Sequence, residues 1–168
     1  MIIRKAIPTD AERLIVLMKH VEESKHMLYE PGERQTTSEQ LEKRLTSSSE
    51  ETVVFVAEEQ TDLIGYLFAI GDTVKRKQHS VYLVIGVHQH CRAKGTGTQL
   101  LRAVETWAID KMLHRIELTV LEKNTAAIAL YKKMGFIVEG VKRDSICMDG
   151  EYANELYMAK LLKHASIQ

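Results

Sequence analysis

The chemically most informative residues lie in a short loop between an apolar run at residues 80–87 and an amphipathic helix pattern that begins at Gly97. The loop carries Arg92, Lys94 and Gly95. The first amides of a helix have no intrahelical acceptor and face outward with the positive end of the helix dipole, so they can bind an anion. Glycine lets a phosphate approach the backbone, and the two cations add charge. The spacing therefore predicts a phosphate site at the helix start.

The loop lacks the features of two common nucleotide-binding classes. A Walker loop ends in Gly-Lys-Ser or Gly-Lys-Thr, which does not occur here. A dinucleotide-binding loop has a third glycine, but Leu100 stands at that place, and no strand ending in an acidic residue follows at the distance of a ribose contact. Both an NTPase and a dinucleotide enzyme are thus disfavoured.

Two other kinds of site are also disfavoured. His88, His90 and Cys91 are residue types that bind zinc, but Cys147 and the other histidines show no paired ligand spacing, and a structural zinc site needs four ligands. The sequence also has no nucleophile elbow that would support a Ser/His/Asp arrangement. We therefore predict no metal and no covalent serine chemistry.

The hydrophobic periods predict the element order βααβββαβαββ. Thr9 and Glu12 form a capping-box pattern before the first helix, and Thr37 precedes the second. The third helix begins near Gly97, and the fourth is capped by Asn124 or Thr125. The predicted strands are residues 2–7, 52–58, 63–71, 80–87, 115–121, 136–148 and 152–161.

Length and composition limit the classes of protein further. A chain of 168 residues predicts a single domain over residues 1–168. Lys+Arg and Asp+Glu number 23 each, so no global charge favours nucleic acid or an anionic membrane. Two cysteines, seven methionines and no apolar leader indicate free thiols and a cytoplasmic location. The sequence leaves the oligomeric state open, with a homodimer as one option.

Three segments together resemble the GNAT superfamily, the GCN5-related N-acetyltransferases. Residues 83–101 are similar to its central strand, pyrophosphate loop and helix, and residues 92–97 within them, RAKGTG, to its R/Q-x-x-G-x-G/A signature. Residues 124–136, NTAAIALYKKMGF, are similar to its N-x-x-A-x-x-L-Y-x-K-x-G-F segment, and residues 2–18 to its opening strand and helix. Residues 22–50 and 71–79 match no signature of the family. The motifs are specific for acetyl-CoA use and fold, and much less so for the acceptor.

The resemblance implies an α/β (α+β) fold with a mixed central sheet of about seven strands, flanked by about four helices. The sheet would be splayed between strands 4 and 5, with the pantetheine arm of acetyl-CoA in the gap. Backbone groups at Val87 would bond the pantetheine, Asn124 would contact the cofactor arm, and Tyr131 would face the thioester sulfur. The pyrophosphate would be held by the loop residues Arg92, Ala93, Lys94, Gly95, Thr96, Gly97 and Thr98.

The implied activity is direct transfer of an acetyl group from acetyl-CoA to a primary amine of a small molecule or protein. Tyr131 would serve as a catalytic donor to the leaving thiolate. Many members of the family use a glutamate on the central strand as the general base, but residues 80–87 contain no carboxylate. Glu117, on the next strand, is therefore the catalytic-base candidate, with His88 and His90 as alternatives.

The acceptor channel would be lined by Tyr29, Glu30, Glu33 and Arg34 together with residues 149–155. The acids among them could attract a cationic amine, although Glu33 could equally be a plain helix-end charge. A non-catalytic acyl-CoA-binding or regulatory module on the same fold is the alternative function. Transferases for longer acyl groups or for hydroxyl acceptors are a further variant.

Overall fold

One mixed sheet organises the computed structural model, which describes residues 1–47 and 49–164. Its strands are β1 (Ile2–Lys5), β2 (Val53–Glu59), β3 (Asp62–Gly71), β4 (Ser80–Val87), β5 (Arg115–Leu121), β6 (Ile137–Met148) and β7 (Glu151–Leu161). They are ordered β1-β2-β3-β4-β5-β7-β6, and β4 and β5 are parallel while the other neighbours are antiparallel. The predicted order of elements is confirmed.

Helices cover both faces of the sheet. They are α1 (Ala11–Glu22), α2 (Ser38–Thr46), α3 (Thr96–Asp110) and α4 (Thr125–Lys133). Side chains of α1 and α2 form one apolar cluster with alternate residues of β2 and β3, and side chains of α3 and α4 form another with the opposite face. Because β2 is covered on both sides, Val53 to Ala57 are all buried, which explains their continuous apolar run.

The sheet opens between its two parallel strands. β4 and β5 pair only from Ser80 with Arg115 to Tyr82 with Glu117. A hydrogen bond of 2.6 Å between the Tyr82 and Thr119 hydroxyl groups lies just beyond the last paired position. The strands then continue to Val87 and Leu121 without pairing to each other. The predicted splay between strands 4 and 5 is thus confirmed, and the open end forms a wedge.

The start of α1 differs from the prediction. Thr9 and Glu12 do not form a capping box, because Pro8–Asp10 is a 3₁₀ turn and α1 begins at Ala11. The fully buried Asp10 carboxylate instead accepts the Ile7 N–H at 2.9 Å. It also accepts hydrogen bonds from Arg4 and Arg13, and the Arg4 contact is the main reason that its pKa falls to about 2. Long-range ion pairing therefore replaces the local cap.

Replacing Asp10 with Asn should lower the unfolding free energy at pH 7 by about 2 kcal/mol, because the buried carboxylate that binds Arg4 and Arg13 is lost while Glu58 still pairs with both. The measurement is urea denaturation, with the exposed Glu12→Gln as control. Since the folded-state pKa lies below the unfolded value, the ionised carboxylate stabilises the fold above pH 4. The difference between wild type and variant should therefore shrink as pH falls from 4 towards 2. A constant difference in unfolding free energy across that range would show that the ionised Asp10 carboxylate is not the source of the stabilisation.

None of the helices within residues 1–47 and 49–164 is both long enough and apolar enough to cross a membrane.

Candidate functional site

The loop before α3 has the geometry of an anion site. Gly95 adopts a left-handed conformation with φ of +85°, which turns the chain into the helix. The first helical bond joins the Gln99 N–H to the Gly95 carbonyl oxygen at 3.0 Å. The amides of residues 96–98 precede that bond and so have no acceptor within the helix. These N–H groups form the positive end of a four-turn helix, and this end faces the loop.

A cavity of about 410 Å³ lies between this loop, the open end of β4 and the first turns of α4. Every residue predicted to bind the cofactor lines it except Lys94, whose side chain lies on the surface. The predicted residues in its wall are Val87, Arg92, Ala93, Gly95, Thr96, Gly97, Thr98, Asn124 and Tyr131. The cavity therefore brings together residues that are distant in sequence but belong to the two resembling motifs.

Helix α4 fixes the position of Tyr131. The Asn124 side-chain oxygen accepts the Ala127 N–H at 3.3 Å and caps the start of the helix, which leaves the side-chain NH₂ group to donate to a ligand. Gly135 ends the helix with φ of +92°, as the sequence predicted. Phe136 follows and packs against the Tyr131 ring, with centroids 5.8 Å apart. The motif thus fixes both ends of the helix and packs Phe136 against the phenol ring.

Tyr131 is buried at the junction of two cavities. Burial, with a smaller contribution from Tyr82, raises the pKa of its phenol well above the ordinary value of 10. The hydroxyl therefore stays protonated at neutral pH and can act only as a hydrogen-bond donor or acceptor. A donor of this kind suits a site where negative charge develops during a reaction.

The second cavity, of about 340 Å³, lies on the other side of this junction. The residues that it shares with the first cavity are His26, Met27, Ile85, Asn124 and Tyr131. Of the residues predicted for the acceptor channel, it is lined by Tyr29, Arg34 and Glu155. The two cavities thus meet at the phenol.

Other predicted acceptor residues lie elsewhere. Glu33 accepts the Glu30 N–H at 2.8 Å and closes a surface turn, and neither residue lines the second cavity. Asp149 is exposed and lies 3.5 Å from Lys25. Glu30, Glu33 and Asp149 thus lie outside the wall of the second cavity.

The base candidates from the sequence are not brought to the junction. Glu117 lies at the closed end of the wedge, where its carboxylate accepts a 2.6 Å hydrogen bond from the Arg115 side chain, and it lines neither cavity. His88 stacks on His20, with centroids 3.9 Å apart, in a separate hollow that His90 also lines. Burial, and then the charges of His20 and His90, lower the pKa of His88. These positions give no direct contact with the second cavity.

The wall of the second cavity includes three polar residues that the sequence did not predict as site residues. Glu22 appears in the sequence as the start of a polar run, yet only 1% of its surface is exposed. It follows Leu14 and Met18 at intervals of four residues, and this periodicity could have placed it on the buried face of α1. Tyr66 lies in an apolar run that predicts only core packing. His26, on the segment after α1, lines both cavities and was also missed.

The chain has a mixed sheet that opens between parallel strands, a helix start at one side of the wedge and a buried phenol at its centre. These features define it as a protein of the acyltransferase fold class. Residues 17–136 match the model of the Acetyltransferase (GNAT) family. The chain belongs to this family, as its motifs predicted.

Individual relatives agree with the family assignment. The chain is 32% identical over 104 residues to the L-amino acid N-acetyltransferase AaaT of Escherichia coli K12, a match that covers 60% of this chain and 62% of the relative. The chain thus spans less than two thirds of that protein's length.

Solved structures show the same fold. An acetyltransferase of the GNAT family from Streptococcus pneumoniae is 29% identical, with a TM-score of 0.91 over 96% of this chain and 99% of that one. A GNAT superfamily phosphinothricin acetyltransferase from Sinorhizobium meliloti, solved in complex with acetyl-CoA, superimposes with a TM-score of 0.86. It is 19% identical, and the alignment covers 99% of this chain and 91% of that one.

Proposed function

We propose that this protein is an acetyl-CoA-dependent N-acetyltransferase that transfers the acetyl group directly to a primary amine. The observation that carries the proposal is the position of Tyr131, which lines both the cavity at the α3 start and the second cavity. In the proposed complex the first cavity binds acetyl-CoA and the second cavity binds the amine. The thioester then lies between them, beside the phenol.

The first cavity suits the chemical parts of acetyl-CoA. The unpaired amides of residues 96–98, with the positive charge of Arg92, would bind the pyrophosphate. β4 beyond Tyr82 has no pairing with β5, so its edge at Val87 can bond the amide groups of the pantetheine arm as an added strand would. The side-chain NH₂ of Asn124 would donate to the same arm. Lys94 would contribute charge from the rim.

Transfer needs a neutral amine and a stabilised leaving group. An alkylammonium with a pKa near 10 costs roughly 4 kcal/mol to deprotonate at neutral pH. The amine nitrogen then attacks the acetyl carbon, and the carbon–sulfur bond breaks to leave a thiolate. Tyr131 would donate a hydrogen bond to that sulfur, and a backbone N–H near Val87 would polarise the carbonyl oxygen.

Thiol release from acetyl-CoA, measured with a panel of primary amines, tests the proposal. We expect release that depends on one class of amine and yields the N-acetyl product. Tight acetyl-CoA binding with no turnover on any amine would instead favour an acyl-CoA-binding or regulatory module. The same assay with longer acyl donors and with hydroxyl acceptors distinguishes the other transferase classes.

Replacing Glu117 with Gln should leave kcat within about threefold of wild type, because the carboxylate lies outside both cavities and is bound to Arg115. The acidic limb of the pH–rate profile should also persist. The measurement is steady-state kinetics across pH with the best amine of the panel. Loss of the acidic limb in this variant would restore Glu117 as the general base.

We further propose that residues 1–168 act as one catalytic domain in the cytoplasm. Cys91 and Cys147 are free cysteines, and the reducing cytoplasm would keep them so.

A further inference from the structure

A buried carboxylate ends α1 with one of its oxygens unused. Glu22 Oε1 accepts a hydrogen bond of 2.6 Å from the Arg34 Nε, but Oε2 is buried and has no hydrogen-bond partner among residues 1–47 and 49–164. A negative charge at the last residue of a helix is unfavourable, since the carbonyl end of the dipole lies there. Burial without a partner adds a further cost for the second oxygen. The ion pair with Arg34 accounts for one oxygen of this group and leaves the other unexplained.

A second unsatisfied polar atom lies in the wall of the same cavity. Tyr66 is fully buried, and its hydroxyl has no partner among the described residues. A Cβ on Gly86 would lie 2.5 Å from the Tyr66 Cζ, so glycine on β4 is what makes room for this ring. Burial raises the pKa of the phenol, while Arg34 opposes and Glu22 adds to the rise. The ring position is therefore fixed by packing, and its hydroxyl stays protonated.

Both residues belong to the cavity that meets the acetyl-CoA cavity at Tyr131. The nearby arginine does not compete for the free oxygen, because Arg34 already binds Oε1 and lies 4.7 Å from the Tyr29 ring centroid. Two residues of this wall thus carry a carboxylate oxygen and a phenol hydroxyl that have no hydrogen-bond partner within the described part of the chain.

An amino group is a ligand that can satisfy unpaired oxygens of both kinds. A carboxylate oxygen only accepts hydrogen bonds, and a phenol oxygen can accept one, whereas a primary amine has two N–H donors. When both donors are used, the nitrogen lone pair is left free to face the thioester. A carboxylate at that position also stabilises the positive charge that develops on nitrogen as the carbon–nitrogen bond forms.

From these contacts we propose that Glu22 and Tyr66 form the site for the acceptor amine, and that Glu22 Oε2 takes the amine proton during transfer. The inference rests on the proposed N-acetyltransferase function. The neutral amine attacks the acetyl carbon, one N–H proton passes to Oε2, and the carbon–sulfur bond breaks. The sulfur keeps the electron pair and gains a proton from solvent, and Glu22 then releases its proton to solvent. The products are the N-acetyl amine and free coenzyme A.

Replacing Glu22 with Gln tests the proposal, because Gln keeps an oxygen for Arg34 but has no negative charge and cannot take the proton. We expect kcat/KM for ethylamine to fall roughly tenfold or more, with an unchanged dissociation constant for acetyl-CoA. Glu22→Asp should recover part of the activity. The matched control is Glu23→Gln, which removes the exposed neighbouring carboxylate. Equal kcat/KM in wild type and Glu22→Gln would overturn the proposal.

The dependence of rate on amine basicity separates proton transfer from a structural role. Ethylamine and its 2-fluoro, 2,2-difluoro and 2,2,2-trifluoro derivatives have similar shapes and decreasing basicity. Rates are expressed per neutral amine. Glu22→Gln should then show a steeper dependence of rate on amine pKa than wild type, since no carboxylate takes the proton as positive charge develops on the nitrogen. An unchanged slope would overturn the proton-accepting role.

Tyr66→Phe gives a second test if Glu22→Gln is unstable. It should lower the acceptor kcat/KM several-fold and leave acetyl-CoA affinity and thermal stability unchanged, because the lost hydroxyl has no hydrogen-bond partner in residues 1–47 and 49–164. A wild-type kcat/KM in this variant would overturn the amine site. Failure of the wild type to acetylate any amine would instead contradict the proposed function itself.

Discussion

Gly97→Asp should raise the acetyl-CoA dissociation constant 100-fold or more, a loss on the order of 3 kcal/mol. Gly97 lies in the first turn of α3 and lines the first cavity, where the unpaired amides of residues 96–98 would hold the pyrophosphate. An aspartate there places a negative charge against phosphate. Its Cβ would also lie 2.9 Å from the Leu130 Cδ2, at the point where α3 and α4 approach each other. Isothermal titration calorimetry with acetyl-CoA measures the effect.

Two matched variants separate charge from size at Gly97. Gly97→Ala adds the same Cβ against the movable tip of Leu130, and we expect a change in affinity of less than about tenfold. Gly97→Asn has nearly the shape of Asp without its charge and should fall between the two. Thermal unfolding checks that each variant is folded. Wild-type affinity in a folded Gly97→Asp protein would remove this loop from the cofactor site.

The parts of the site that the sequence predicted depend on local signals. Asn124 caps the helix that follows it, and Gly135 ends that helix, so Tyr131 could be placed on a short helix before any tertiary contact was known. The same holds for the α3 start, where Gly95 and the apolar positions of the helix are close in sequence. Local backbone preferences and periodicity act within a few residues, and a single sequence shows them directly.

The parts that the sequence did not predict depend on contacts between distant residues. Arg115 lies two residues before Glu117 on the same strand and forms an ion pair with it. The position of Glu117 at the closed end of the wedge, however, follows only from the short pairing of β4 with β5. The helical period places Glu22 on the buried face of α1, but its ion pair with Arg34, from the segment between α1 and α2, is a contact between different elements. Tyr66 reaches its position through the space above Gly86 on the neighbouring strand. No local pattern specifies which charges meet across such distances.

The splay between β4 and β5 was predicted partly from strand patterns and partly from the family resemblance. Apolar strand patterns predict that residues 80–87 and 115–121 lie in the sheet, but do not say where their pairing stops. The family resemblance implied that the sheet splays between these two strands, and the structure locates their last pair at Tyr82 and Glu117. The wedge begins at the next residues. Its position matters because β4 and β5 line the walls on either side of Tyr131.

Tyr131→Phe should lower kcat by roughly 10²-fold with little change in the acetyl-CoA dissociation constant. The ring is buried and would keep its packing against Phe136, so the variant loses only the hydroxyl. Because burial raises the phenol pKa above 10 and a thiol has a pKa near 8.5, full proton transfer to the departing thiolate is uphill. The hydroxyl would therefore act by donating a hydrogen bond to the sulfur while its charge develops.

The loss of the hydroxyl should slow the chemical step, and single-turnover measurements can isolate that step from product release. The rate of thiol formation on the enzyme should fall as far as kcat does, while the affinity measured by calorimetry stays within about threefold of wild type. Tyr152→Phe removes a hydroxyl from an exposed ring on β7 and should match wild type in both measurements. If Tyr131→Phe also turned over at the wild-type rate, the phenol would be a packing residue between α4 and the sheet. The charge on the leaving sulfur would then have to be stabilised by another group in the wedge.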